Sequence, residues 1–217
     1  MWISLLIILA ILFYASYNID SGFYVKAKCR LKENPDAVAL TFDDGVDLYQ
    51  TPKVLEVLKK HNVKATFFII GEKAERHPEI VEKILAHGHK IGIHTYSHKG
   101  TFPLLSYVNI FKEIKKTQEI LEKISKQPVT LFRPPFGVTN PNIGRVVKEL
   151  NLQTIGWSIR SYDTNMSRSR VEVADNVVKK IKGNDIILLH DDRKNSDILV
   201  EELLNRLKII GYETVLV

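Results

Sequence analysis

The sequence predicts an α/β fold built on parallel strands, with an apolar segment in front of it. From residue 36 onward, short apolar runs alternate with amphipathic stretches that have helical periodicity. The short runs are apolar at nearly every position, as expected for parallel strands covered by helices on both faces. Polar residues capable of chemistry directly follow several of these runs, where parallel α/β folds place their sites.

Seven strands are predicted from apolar runs bounded by turn residues. They span residues 37–42, 65–70, 90–94, 130–133, 154–159, 185–190 and 214–217. Six helices are predicted between them, at residues 51–61, 78–87, 104–125, 142–150, 170–181 and 195–210. Pro52 and Pro78 suit first helical turns, and Gly88 follows the second helix as a stop signal.

Residues 1–19 form an apolar segment that we interpret as a transmembrane anchor or an uncleaved signal. No charged residue occurs from Trp2 to Tyr17, and the length is near the lower limit for a membrane-spanning helix. A cleaved signal peptide has basic residues before the apolar run and small residues at the cleavage site, and neither feature is clear here. Residues 20–35 are predicted to be a linker, and residues 36–217 the folded domain.

Composition narrows the class of protein. A chain of 217 residues with 45% apolar residues can form one domain with a sizeable core. The net charge of +6 is spread along the chain, and basic residues are not interleaved with aromatic ones, so nucleic acid is not an expected partner. Cys29 is the single cysteine, which excludes an internal disulfide.

Two short polar motifs carry the chemistry. Asp43 and Asp44 follow the first apolar run, and His94 and His98 follow the third at a spacing of four. Two imidazoles and one carboxylate are the usual ligands of a catalytic zinc, which keeps a position open for water. A second carboxylate beside them could accept a proton from that water. Each motif alone is weak, because Asp-Asp-Gly is most often a turn and a His pair is often incidental.

The positions of the polar residues strengthen this interpretation. The carboxyl ends of parallel strands converge on one face, so residues far apart in sequence can share a cleft. The residues that lie near the end of a predicted strand or follow it are Asp43, Asp44, His94, Arg133, Trp157, Asp163 and His190. No other arrangement gives these scattered residues a common location.

With these residues in place, the chain resembles the polysaccharide deacetylase family, the NodB-homology domain of carbohydrate esterase family 4. The resemblance covers about residues 36–217 and is specific, because five blocks occur in the family's order. They are Thr41-Phe42-Asp43-Asp44-Gly45, His94-Thr95-Tyr96-Ser97-His98, Arg133-Pro134-Pro135-Phe136-Gly137, Trp157 with Ser161-Tyr162-Asp163, and Leu188-Leu189-His190. The resemblance implies a distorted (β/α)7 TIM-like barrel that removes N- or O-acetyl groups from sugars with a divalent metal.

The resemblance implies two groups of roles, beginning with the metal and the base. Asp44, His94 and His98 would hold the metal, which is most often zinc, with cobalt, manganese and nickel as alternatives. Asp43 would be the general base. Arg133 would orient Asp43 and support its charge.

The second group of roles concerns the acid and the pocket. His190 would be the general acid, with its pKa tuned by Asp163. The backbone N–H of Phe136 would face the oxyanion, and Trp157 and Leu188 would form the wall around the acetyl methyl group.

Two positions depart from the family. Phe136 stands where the family often has Tyr, and because the backbone acts there we expect catalysis to survive. Thr164 follows Asp163 where many members have Trp, which changes the groove and therefore concerns substrate specificity.

The predicted function is hydrolysis of N-acetyl groups on a glycan such as peptidoglycan, a chitin-like polymer or another surface polysaccharide, by a monomeric catalytic domain. Deformylation or deacetylation of a lipid-linked aminosugar, and a catalytically inactive glycan-binding relative, are the alternatives. We expect the chain to be held at a membrane by its N-terminal helix, with the domain outside the cytoplasm. The basic residues that follow the apolar segment favour the opposite orientation; they are Lys26, Lys28, Arg30 and Lys32.

Overall fold

A computed structural model describes residues 2–32 and 35–217. The strands are β1 (Ala37–Asp43), β2 (Thr66–Ile69), β3 (Lys90–Ile93), β4 (Leu131–Phe132), β5 (Gln153–Thr154), β6 (Ile159–Arg160), β7 (Asp185–His190) and β8 (Glu213–Thr214). The helices are α1 (Trp2–Tyr17), α2 (Gln50–Lys60), α3 (Gly71–Arg76), α4 (Pro78–Ala86), α5 (Tyr107–Ser125), α6 (Pro141–Glu149), α7 (Arg170–Val178) and α8 (Ser196–Ile209).

The strands form one parallel sheet in the order β5-β4-β3-β2-β1-β7-β6, with β8 beside the first residues of β1. The edge strands β5 and β6 are neighbours in the chain, separated only by residues 155–158. Five residue steps reach at most ~18 Å, so the two edges must lie close together. The sheet is therefore curved into a parallel half-barrel, which agrees with the predicted α/β barrel class.

The predicted strand at 154–159 was wrong as a single element. Its first residue belongs to β5, which pairs with β4, and its last belongs to β6, which pairs with β7 on the other side of the sheet. Gly156 lies between them, and a Cβ there would come within 2.4 Å of the Cys29 sulfur. The apolar run therefore crosses between the two edges of the sheet as a closely packed connection.

The six predicted helices are present, with ends shifted by a few residues. Helix α3 was missed, because it begins directly after β2 and its six residues are too few to show helical periodicity.

The core lies between the sheet and these helices. Every residue of β1 and β2 is buried, and the rings of Phe42 and Phe67 stack at 4.9 Å. Such burial on both faces holds the strand ends, and hence the polar residues on them, in place.

The N-terminal helix α1 has 16 residues, and most of its large apolar side chains are exposed. Its last turn contacts the domain: Ala15 is buried, and the carbonyl of Ser16 accepts a hydrogen bond from the Thr139 N–H at 2.9 Å. Among the described residues, no helix is both long and apolar enough to cross a membrane. The transmembrane helix predicted within residues 1–19 is therefore not supported. Within the segment predicted as a linker, residues 20–35, Lys28 and Arg30 form isolated β-bridges to Ile155 and Asp185.

Candidate active site

A cavity of about 170 Å³ opens at the carboxyl ends of the strands. It is lined by Asp43, Asp44, His94, His98, Phe136, Trp157, Arg160, Thr164, Leu188, His190 and Arg193. The sequence-predicted site residues are all brought together here: Arg133 and Asp163 do not line the cavity but lie directly behind Asp43 and His190, to which they are hydrogen-bonded.

Asp44, His94 and His98 form a potential metal site, in which one ligand atom from each lies within 4.8 Å of the others. The Nε2 atoms of His94 and His98 lie 3.5 Å and 3.3 Å from Oδ1 of Asp44. On the far side of the His94 ring, Nδ1 is 2.8 Å from the carbonyl oxygen of Arg133. A carbonyl only accepts, so Nδ1 carries the proton and Nε2 keeps its lone pair for a metal.

The electrostatics of this site suit a cation. Burial, and after it the repulsion that a protonated His94 would exert, lowers the pKa of His98 to about 4, which keeps its imidazole neutral. Burial by itself raises the pKa of Asp44, but the neighbouring imidazoles, led by His94, outweigh it and hold that pKa well below its usual range. A carboxylate and two neutral imidazoles are the donor set that zinc prefers, so the residues present fit a divalent metal.

The loops that carry these ligands are held in uncommon backbone conformations. Asp44 and His98 have φ of 68° and 48°, in the left-handed region that is costly for residues other than glycine. Gly45 packs against buried Asp191, whose carboxylate oxygens would lie 2.6 Å from a Cβ at this position. Strain of this kind persists where the surroundings hold it, and it is common at functional sites.

Glu113 on α5 fixes the loop between the two histidines, and sequence reasoning missed it. One of its carboxylate oxygens accepts hydrogen bonds from the N–H groups of Tyr96 and Ser97 at 3.1 Å and 2.8 Å. The Ser97 hydroxyl donates to the other oxygen at 2.9 Å. Since Glu113 lies in the middle of an ordinary amphipathic helix, no local pattern marks it.

Arg133 is fully buried and supports Asp43. Its Nη1 donates to Oδ1 of Asp43 at 2.7 Å and to the Thr41 hydroxyl at 2.9 Å. Its other nitrogens donate to the carbonyls of Ile155 and Gly156 at 3.0 Å and 2.8 Å. The guanidinium is therefore rigidly placed, and it engages one oxygen of Asp43 while the other faces the metal site, 3.8 Å from Nε2 of His94.

His190 ends β7 and lies on the opposite side of the cavity. Its Nδ1 is 2.8 Å from Oδ1 of Asp163, and its backbone N–H donates to Oδ2 of the same carboxylate at 2.7 Å. Burial lowers the pKa of His190, but the hydrogen bond and charge of Asp163 outweigh it and raise that pKa to about 9. The remaining nitrogen, Nε2, lies 3.9 Å from Oδ2 of Asp44.

The remaining predicted residues form the walls of the cavity. Leu188 is buried, and Trp157 and Phe136 are partly exposed at the opening. Gly137, with φ of 72°, packs so closely on the Trp157 ring that a Cβ would lie 2.6 Å from it. The Phe136 ring lies 5.0 Å from the His98 ring, so this side chain lies beside the potential metal site.

Two arginines in the cavity were also missed from the sequence. Arg193 donates to Oδ2 of Asp44 at 2.6 Å, and Arg160 on β6 lines the opening. Arg193 follows β7, which carries His190, and Arg160 ends β6, which lies between the predicted site residues Trp157 and Asp163. Their position at the carboxyl ends of β7 and β6 was therefore a signal that could have found them.

The geometry agrees with the comparisons. Residues 30–155 match the family described as "Polysaccharide deacetylase". This is more than half of the chain, and the chain belongs to the polysaccharide deacetylase family.

Curated relatives extend the match. The chain is 37% identical to a peptidoglycan-N-acetylglucosamine deacetylase of Bacillus cereus, over 85% of this chain and 87% of that protein. It is 33% identical to the peptidoglycan-N-acetylmuramic acid deacetylase PdaC of Bacillus subtilis, over 85% of this chain. The chain spans only 38% of the length of PdaC.

Among solved structures, the Bc1960 peptidoglycan N-acetylglucosamine deacetylase superposes with a TM-score of 0.82 at 35% identity. The superposition covers 88% of this chain and 90% of that protein. The fold is therefore shared over nearly the whole chain.

Proposed function

We propose that this chain is a metal-dependent hydrolase that removes N-acetyl groups from peptidoglycan. The main observation behind the proposal is that the Asp43 carboxylate and the His190 imidazole face the same potential metal site from opposite sides. Each of the two is held by a different residue. Asp43 is held by Arg133 on one side, and His190 is held by Asp163 on the other. The relatives named as peptidoglycan deacetylases support the choice of glycan.

Asp43 acts as the general base in this proposal. Asp44, His94 and His98 would hold a divalent metal, which when bound would activate a water and polarise the acetyl carbonyl. Arg133 donates a hydrogen bond to one oxygen of Asp43, which leaves the other oxygen to accept the proton of the attacking water. Asp43 makes no direct hydrogen bond to the metal-site histidines, so it can move a proton without releasing a ligand.

His190 acts as the general acid. With a pKa of about 9, its imidazole is protonated at neutral pH and can donate from Nε2. Asp163 accepts from Nδ1 and stabilises the charged ring in the orientation that donation requires. The departing amine receives this proton, because an unprotonated amine is a poor leaving group.

The cavity walls suit a small acyl group. Leu188 and Trp157 offer apolar surface to the acetyl methyl group, and the Phe136 backbone N–H is proposed to face the oxyanion. A formyl group would leave that apolar surface without a partner, and a buried methyl is worth roughly 1 kcal/mol. Acetyl is therefore favoured over formyl for this cavity.

The test is acetate release from glycan strands by the full chain supplied with zinc. We expect acetate and no formate, and Asp43→Asn should lower the rate about 10²–10⁴-fold while metal content stays unchanged. Parallel assays with cobalt, manganese and nickel identify the most effective metal. Glycan binding without acetate release under any of these metals would instead support the inactive glycan-binding relative.

We also propose that the domain acts outside the cytoplasm and that α1 holds it at a membrane surface. The uncharged, exposed apolar face of α1 supports this location, and so does the wall substrate of the relatives. A periplasm-active reporter fused to the carboxyl end should be active, and the full chain should sediment with membranes. An inactive reporter, or a chain that remains entirely in the soluble fraction, would contradict the respective part of this proposal.

A further inference from the structure

A second and larger cavity, of about 480 Å³, adjoins the catalytic one. The two share the walls formed by Phe136, Trp157 and Arg160. The rest of the second cavity is lined by Tyr17, Asn18, Ile19, Asp20, Arg30, Ser158, Ile159, Tyr162 and Lys180. We call it the basic groove. Because the two cavities adjoin at these shared side chains, a polymer whose acetamido group reaches His190 can extend along the basic groove.

Two cations of the basic groove lie around one exposed aromatic ring. The guanidinium carbon of Arg160 is 5.4 Å from the centre of the Tyr162 ring, and Nζ of Lys180 is 5.1 Å from it. Neither cation forms an ion pair with a carboxylate in the part of the chain that the structure describes. Cation–π contacts of this length hold the two charges in place and leave their hydrogen-bond donors available.

The other charges of the groove do not cancel these two. Arg30 is paired with Asp185 at 2.8 Å, while its side chain stays half-exposed. Asp20 is the one carboxylate on the described lining, and it lies on the N-terminal segment. The groove therefore carries a net positive charge, concentrated around the Tyr162 ring.

Tyr162 is itself held in an unusual conformation. Its φ is 59°, which is rare for a bulky residue, and its side chain is 50% exposed. It precedes Asp163, whose carboxylate supports His190, so the same loop joins the groove to the acid side of the active site. The position of the aromatic ring in the groove is therefore set by the backbone that also sets the catalytic geometry.

We propose that the basic groove binds a carboxylate carried by the sugar next to the one being deacetylated, with Lys180 and Arg160 as its cations. This rests on the proposed function, since a peptidoglycan strand alternates a neutral sugar with one that bears a lactyl side arm. The carboxylate is that of the side arm, or of the peptide that extends it. A chitin-like polymer has no such group, so the groove would select peptidoglycan over neutral glycans.

The experiment compares two tetrasaccharides of equal length. One contains only N-acetylglucosamine, and the other alternates N-acetylglucosamine with N-acetylmuramic acid. For Lys180→Gln we expect KM for the anionic substrate to rise about three- to tenfold with kcat unchanged, since one charged hydrogen bond is lost. Lys180→Glu should raise it further, and KM for the neutral substrate should change less than about twofold. The difference in KM between wild type and the Lys180 variants on the anionic substrate should shrink in about 0.5 M salt, because salt screens the charges.

Lys208→Gln is the matched control, because Lys208 is an exposed lysine on α8 that lines neither cavity. Strands that carry peptides form a further arm: a KM effect confined to them assigns the carboxylate to the peptide. Equal changes for the neutral and anionic substrates, or the same rise in Lys208→Gln, would overturn the proposal.

Binding of the anionic tetrasaccharide, measured by calorimetry on the full chain, separates the two proposals. A wild-type chain that releases no acetate, yet binds this tetrasaccharide more tightly than Lys180→Gln does, would refute the proposed function and support the groove. A chain that releases acetate with the same KM in wild type and both Lys180 variants would refute the groove alone.

Discussion

The two sides of the catalytic cavity each present a buried histidine, and their ionisation is opposite. On the β1–β3 side, the pKa of His98 is lowered to about 4. On the β6–β7 side, the pKa of His190 is raised to about 9. Burial lowers the pKa of both rings, so burial alone does not explain the difference.

The difference comes from the balance of the groups around each ring. His98 lies 3.3 Å from an oxygen of Asp44, but burial and the neighbouring His94 ring lower its pKa by more than that carboxylate raises it. His190 has the Asp163 carboxylate 2.8 Å from Nδ1, and that negative charge outweighs burial. The same side chain is therefore neutral and suited to metal ligation on one side, and protonated and suited to proton donation on the other.

The largest expected effect tests the metal side. His94→Ala or His98→Ala should lose most of the bound divalent metal, because two ligands of this type rarely hold it tightly. Activity should fall more than about 10³-fold, since the activated water is lost with the metal. Metal content by plasma emission spectrometry is the measurement. His87→Ala, outside the cavity, should keep its metal, and unchanged metal in both site variants would contradict the ligand assignment.

The next effect tests the acid side. His190→Ala should slow deacetylation of an N-acetylglucosamine oligomer by about 10²–10⁴-fold. Hydrolysis of an activated aryl acetate should fall far less, because its phenolate leaves without a proton. Rates on both substrates, with metal content measured in parallel, are required. Equal losses on the two would mean that His190 positions the substrate and does not donate the proton.

A smaller effect tests the support of His190. The ring donates only when protonated, so activity should fall as the pH rises through the pKa of about 9. Asp163→Asn removes the negative charge that raises this pKa. The alkaline limb of the pH–rate profile should therefore move toward lower pH, with about a tenfold loss near pH 8. If the alkaline limb lies at the same pH in Asp163→Asn and in wild type, Asp163 does not raise the pKa of the general acid.

The smallest effect concerns Asp191, the neighbour of His190. This fully buried carboxyl accepts a hydrogen bond from the Thr51 hydroxyl, and burial raises its pKa to about 7. A pKa raised by folding means that the folded state binds the proton more tightly than the unfolded state. Its contribution to stability is therefore present below about pH 4 and is lost as the pH rises to about 7.

Asp191→Asn removes this titration and keeps the shape of the side chain. Between about pH 4 and 7, the variant should lose less free energy of unfolding than wild type, by on the order of 2 kcal/mol. Urea unfolding at a series of pH values measures this. Parallel stability curves for the two proteins would show that Asp191 is ionised throughout, as Asp163 is beside its histidine.

Much of the site could be predicted because strand ends are visible in the sequence. Asp43, His94 and His190 each follow an apolar run, and parallel strands bring such ends to one face. Glu113 could not be predicted in this way, since its role depends on α5 packing beside the loop that follows β3.

The sequence by itself determined the parallel α/β class, the helices and the set of chemical groups at the strand ends. These follow from hydrophobic periodicity and residue type, which act over short stretches of chain. Only the tertiary structure decided that residues 154–159 cross between the two edges of the sheet, and that Arg160, Tyr162 and Lys180 surround a groove beside the site. The ionisation of His98 and His190 was also decided there, because a pKa depends on burial and on charges brought close by folding.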